Sequence, residues 1–136
     1  MTCTRPDLSW VVTKLSQHLN DPTQIHLVML KHVFRYLLGT SDYNLTFRKS
    51  EGGLELSGYS DADWGACEEN RKSISGYYFT LNKIGPAISW KSKRQSTVAL
   101  SSCESEYVAL THATQEALYC HSYCEILIQL NHFVHL

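Results

Sequence analysis

Carboxylates crowd two short stretches of this sequence. Gly58-Tyr59-Ser60-Asp61-Ala62-Asp63-Trp64 puts Asp61 and Asp63 at the end of a predicted strand, and Ser101-Ser102-Cys103-Glu104-Ser105-Glu106-Tyr107 puts Glu104 and Glu106 on the first turns of a predicted helix. Acidic side chains are poor strand residues and are costly to bury. Two acidic sites converging from rigid elements therefore suggest oxygen ligands for a hard divalent cation.

Three blocks of sequence would position these groups. In the first, Leu8, Val11, Val12, Leu15 and Leu19 recur at helical spacing over Asp7 to Leu19, and Asn20-Asp21-Pro22-Thr23 supplies a stop, a cap and a helix-start proline. A second arm runs from Pro22 to Leu37 with Gly39 as its C-terminal cap, which makes a helical hairpin. The middle block has strand character. Tyr43 to Phe47 and Leu54 to Tyr59 alternate around a turn composition, and Ile74 to Leu81 and Ala87 to Trp90 flank the hairpin loop Asn82-Lys83-Ile84-Gly85-Pro86. The third block is a helix capped near Ser101 or Ser102 and uninterrupted by proline or glycine from there on.

Helical phase separates the two glutamates. Residues three, four and seven positions from Glu106 include Ala109, Leu110 and Ala113, an apolar stripe that turns Glu106 toward the sheet, whereas Glu104 lies on a mixed face that meets water. A carboxylate on an apolar face pairs with a core Arg, Lys or Tyr or holds a cation, and pattern alone leaves both open. Asp61 and Asp63 share one side if the strand stays extended through Asp63, and a turn at Ala62 would separate them.

Composition narrows the class. The 136 residues carry 12 Lys and Arg against 13 Asp and Glu, a net charge of -1, so attraction for nucleic acid has to come from a local patch. Five cysteines, Cys3, Cys67, Cys103, Cys120 and Cys124, are an odd number at irregular spacing, and no apolar signal core follows Met1. An intracellular site, cytoplasmic or nuclear, is expected. His, Lys, Arg or Gln interrupt the apolar stretches, so no membrane partner is expected.

Six motifs in one continuous order extend the comparison: Thr4-Arg5-Pro6-Asp7, Leu37-Leu38-Gly39-Thr40, Gly58 to Trp64, Arg71-Lys72-Ser73-Ile74-Ser75-Gly76-Tyr77, Ile88-Ser89-Trp90-Lys91-Ser92-Lys93, and Val98-Ala99-Leu100-Ser101-Ser102 onward. Together they resemble the copia-type retrotransposon Pol polyprotein, at the end of its reverse transcriptase and the start of its ribonuclease H domain. The resemblance implies an α/β, truncated ribonuclease H-like fold: a three-stranded meander and a helix over residues 43–136, preceded by a helical hairpin over residues 1–42. It implies metal-dependent hydrolysis of the RNA strand of RNA/DNA hybrids by two magnesium or manganese ions held on four acidic residues. Asp61 and Glu106 match two of those four, as catalytic metal ligands, with Asp63 in reserve. The third and fourth have no counterpart before Leu136, so the chain is expected to be inactive alone. The alternative is a non-catalytic remnant that binds nucleic acid or protein. A strand that would pair beside the first is also missing. An open edge along Leu54 to Tyr59 is thus implied, and with it a marginal or aggregation-prone fold unless another chain, such as the rest of a Pol polyprotein, covers it. No Tyr-x-Asp-Asp element is present, which excludes polymerase activity.

Nucleic-acid contact has its own candidates. Trp90, Lys91, Lys93 and Arg94 interleave an aromatic ring with three cations, suited to phosphates and sugar stacking, and Arg71 with Ser73 forms a second group. A solvated basic turn is the plainer account of either. A zinc module built on Cys120, Cys124, His132 and His135 is a rival of another class, although its spacing is shorter than that of zinc fingers.

Overall fold

The computed structural model describes residues 4–48, 55–67, 69–83 and 85–134, with side chains to residue 128. It is mixed α/β, three helices and one three-stranded antiparallel sheet, divided into two compact units at Leu45 and Thr46.

The first unit is helical. A 3-10 turn, Pro6–Leu8, leads into α1, Ser9–Ser16, and α2 spans Gln24–Gly39. The helix α1 stops at Ser16, short of the expected Leu19. Pro22 precedes α2, and Thr23 is its cap: the Thr23 side chain accepts from the backbone of His26 while His26 Nδ1 accepts from Thr23 N at 3.0 Å, a reciprocal capping box. Two of the sequence motifs meet here. Arg5 forks onto Asp7 through Nε to Oδ1 at 3.1 Å and Nη2 to Oδ2 at 2.9 Å, and also donates to the Thr40 carbonyl and hydroxyl at 3.1 and 2.7 Å. Tyr36 donates to Asp7 Oδ2 at 2.8 Å. Thr4-Arg5-Pro6-Asp7 and Leu37-Leu38-Gly39-Thr40 are thus two halves of one polar clasp that fixes the end of α2 against the start of the hairpin. Apolar side chains such as Ile25, Phe34 and Leu38 stay exposed.

The second unit carries β1, Leu56–Asp63, β2, Ile74–Leu81, β3, Ala87–Arg94, and α3, Ser102–Val134. The strand order is β1-β2-β3, so β1 is an end strand paired on one side, among the described residues, and it runs antiparallel to β2 from Leu56 opposite Leu81 to Asp63 opposite Ile74. The expected strand at Tyr43 to Phe47 does not form. It pairs with no strand and buries no face among the described residues, and Tyr43 and Phe47 are both about 61% exposed. Leu54, the expected start of the open edge, lies outside the described residues. At the hairpin between β2 and β3, Asn82 adopts a left-handed φ of 65°, one of the few side chains that tolerate it.

The helix α3 packs across β1 and β2. Its buried stripe is Ser105, Ala109, Ala113 and Cys120, residues small enough to let helix and sheet approach closely. Phe79 fills much of the remaining core and lies over Gly58, where any Cβ would run into its ring. No helix, among the described residues, is long and apolar enough to cross a membrane.

Candidate carboxylate site and basic strand

The strand β1 stays extended through Asp63, so its period of two puts Asp61 and Asp63 on one face, opposite Gly76 and Ile74 of β2. Both carboxylates are exposed. Ser60 and Ala62 take the other face, opposite Tyr77 and Ser75, which is the face that α3 covers. Beyond Asp63, Trp64 Nε1 donates to the Ala99 carbonyl at 3.1 Å. Gly65, with φ 61°, turns the chain away, and its N–H donates to Ser73 Oγ at 3.1 Å.

At the start of α3, Ser101 Oγ accepts from Glu104 N at 3.1 Å and Glu104 Oε2 accepts from Leu100 N at 2.6 Å. Glu104 therefore caps the helix. Glu106 is exposed, contrary to the expectation that it turns toward the sheet. The phase of α3 is set by Ser105, whose hydroxyl satisfies itself on the Ser102 carbonyl at 2.7 Å, so a serine enters the core and the glutamate sits about 100° away from it.

A buried polar network joins the first turn of α3 to the sheet, and the sequence reading did not single it out. Gln95, at 3% exposure, donates through Nε2 to Ser75 Oγ at 2.8 Å and to the Ser105 carbonyl at 2.9 Å, while its N–H donates to the Ser73 carbonyl at 2.8 Å. One side chain thereby joins the end of β3, the start of β2 and the first turn of α3. The signal available was serine at Ser73 and Ser75, just where β2 begins, with a glutamine at the end of β3.

Asp61, Asp63 and Glu106 are not brought together as a metal cage. Among the described residues no group of three or more His, Cys, Asp or Glu could hold a metal ion. For the zinc rival, Cys120 is buried and Cys124 half-buried, both as free thiols, and the His132 side chain and His135 lie outside the described residues.

The basic segment is split by its own strand. Lys91 and Lys93 lie on the α3 side of β3, with Lys91 opposite Tyr77 and Lys93 opposite Ser75, whereas Trp90 and Arg94 face the other way, opposite Tyr78 and Ile74. The ring and the cations that sequence places in one run form two half-patches. Ser73 is no surface contact either: it is 0% exposed and its hydroxyl is occupied by Gly65 N–H. Arg71 is exposed, at a left-handed φ of 55°, with its guanidinium against Gly65.

Known proteins supply the rest of the context. The chain is 42% identical over 130 residues, 95% of its length, to the retrovirus-related Pol polyprotein from transposon RE2 of Arabidopsis thaliana. It is 44% identical over 121 residues, 88% of its length, to that from transposon TNT 1-94 of Nicotiana tabacum. Over most of its length the chain is similar to transposon Pol polyproteins, copia-type elements among them. It spans only 9% of the length of each of those two Pol polyproteins. A further relative, the secreted RxLR effector protein 161 of Plasmopara viticola, is 53% identical over 119 residues, which is 88% of this chain and 82% of that protein. No family model and no solved structure matches the chain.

Proposed function

We propose that residues 46–136 are a ribonuclease H-like portion of a copia-type Pol polyprotein, and that Asp61 and Glu106 are two of its divalent-metal ligands. What supports the proposal is an acidic end strand, with Asp61 on the face away from α3, on which a helix packs that carries a glutamate in its first turns. Magnesium or manganese would take carboxylate oxygens, and a two-ion centre would activate water for hydrolysis of RNA in an RNA/DNA hybrid. Asp61 and Glu106 fit that donor chemistry. Two carboxylates alone do not fit a two-ion centre, and no third donor groups with them among the described residues. No hydrolytic step is assigned to this chain by itself. It acts on RNA/DNA hybrid as a binding element, inside the cell, and cleaves where donors from the rest of a Pol polyprotein complete the set.

The test is incubation of the purified chain with a labelled RNA/DNA hybrid in magnesium or manganese, read for both retention and cleavage, beside Asp61→Asn and Glu106→Gln. Binding without cleavage is expected. Cleavage lost in both variants would show that another copy completes the ligand set, and neither binding nor cleavage would sink the proposal.

A further inference from the structure

A cleft of about 310 Å³ opens between the sheet and α3, lined on the strand side by Ser75, Tyr77, Lys91 and Lys93 and on the helix side by His112, Gln115, Glu116 and Tyr119. Its volume is at the lower end of small-molecule sites, about 300–1,000 Å³. The lining is unevenly engaged. The single carboxylate, Glu116, is occupied, with Ser89 Oγ donating to its Oε1 at 2.6 Å, and its charge acts on the nearby Tyr77 phenol. Burial and then the Glu116 charge push the Tyr77 phenol up to about 12, so it stays a neutral donor. The side chains of Lys91, Lys93, His112 and Gln115, in contrast, have no hydrogen bond or ion pair among the described residues.

Unengaged donors and a surplus of positive charge at one mouth call for an anion. The aromatic wall narrows the choice. Tyr119 is 59% exposed, yet its ring is held by Tyr123 at 5.1 Å between centroids and an angle of 51°, which offers a steadied flat surface beside the lysines. Phosphate on a point-charge pair, a planar ring on a tyrosine and an amide free to read a polar edge are the contacts one nucleotide makes.

We infer that the cleft between β3 and α3 binds a nucleotide, its phosphate on Lys91 and Lys93 and its base on Tyr119. Asp61 and Glu106 take no part, so the inference stands or falls apart from the proposed cleavage chemistry. The same contacts serve a free nucleotide or one unit of a single strand.

Fluorescence anisotropy of the full chain with a fluorescein-labelled single-stranded oligoadenylate, and with adenosine monophosphate as competitor, tests this. Lys91→Gln with Lys93→Gln should weaken binding about tenfold or more and shallow the salt dependence. Tyr119→Ala should weaken it about fivefold or more through lost stacking. Arg94→Gln, on the opposite face and outside the lining, should change it by less than about twofold because its guanidinium does not enter the cleft. Competition by adenosine monophosphate assigns the free nucleotide as sufficient, and the same variant pattern without competition assigns the strand. Equal losses in Arg94→Gln and the lysine pair, insensitivity to all the variants, or no binding of either probe overturns the cleft. Hybrid binding that persists where neither oligoadenylate nor adenosine monophosphate binds overturns the cleft while leaving the proposed function intact.

Discussion

Arg5 makes four side-chain hydrogen bonds, holding Asp7 with a two-point fork and Thr40 with two further bonds. Those bonds pull the Asp7 carboxyl below its ordinary value, with burial opposing them more weakly and the Tyr36 hydroxyl adding to them. On acidification the unfolded chain takes up this proton first. The stabilisation is therefore complete above the unfolded value of about 3.9 and is lost as pH falls through the lower folded one. Because the Asp7 side chain is 32% exposed, its worth is at most about 1 kcal/mol. Asp7→Asn should lower the melting temperature of α2, followed by its amide resonances, near neutral pH, and the difference from the unmodified protein should close below about pH 4. A gap that persists in acid would mean that shape and not charge holds the clasp. Residue identities were the most legible layer of the sequence: the acidic pair at Asp61 and Asp63 sits on a strand and on one face of it, as alternation requires. The environment of Glu106 was not legible, since Ser105 looks less suited to burial than the residues around it until its hydroxyl is seen to bond Ser102.

Elements are held together here by hydrogen bonds as much as by apolar contact. The core of the sheet unit is built largely of alanine, serine and cysteine, with Ile74 and Phe79 its larger apolar members. Gln95 compensates by bonding β2 and α3 from the end of β3, although its Oε1 is buried without a partner. Gln95→Leu should destabilise residues 46–136 by about 1–3 kcal/mol, seen as a lower urea midpoint, because it strips a donor from two buried acceptors. An unchanged midpoint would mean that the orphaned Oε1 cancels what Nε2 contributes. Strand and helix positions were readable from alternation and caps, down to the Asn82 turn and the serine start of α3. Tyr43 to Phe47 misled because alternation reports only that a strand could have two faces, and pairing decides whether it exists. The basic run misled in the opposite sense: Trp90 through Arg94 is contiguous in sequence, and strand geometry divides it.

For the molecule as a whole the consequential feature is β1, which carries the acidic pair and pairs on one side only, among the described residues. An end strand with Tyr59 at 64% exposure is a template for another strand. The sedimentation coefficient should rise with concentration, and Tyr59→Lys should hold the protein monomeric, since a lysine on an end strand opposes pairing. Concentration-independent behaviour of the unmodified protein would show that the acidic pair already guards the edge. The two units divide at Leu45 and Thr46, and where one stops is decided by which contacts form. The helix α3 adds a last consequence. It runs continuously from Ser102 to Val134, yet its buried residues end at Cys120, among those described. Its near half shares the opening free energy of the sheet, whereas beyond Cys120 the contacts of the residues described to 128 lie within the helix, such as His121 with Glu125. Amide protons along this one rod are expected to fall into two exchange regimes, slower before Cys120 and faster after it, with local melting travelling inward from Val134 and stopping at the sheet.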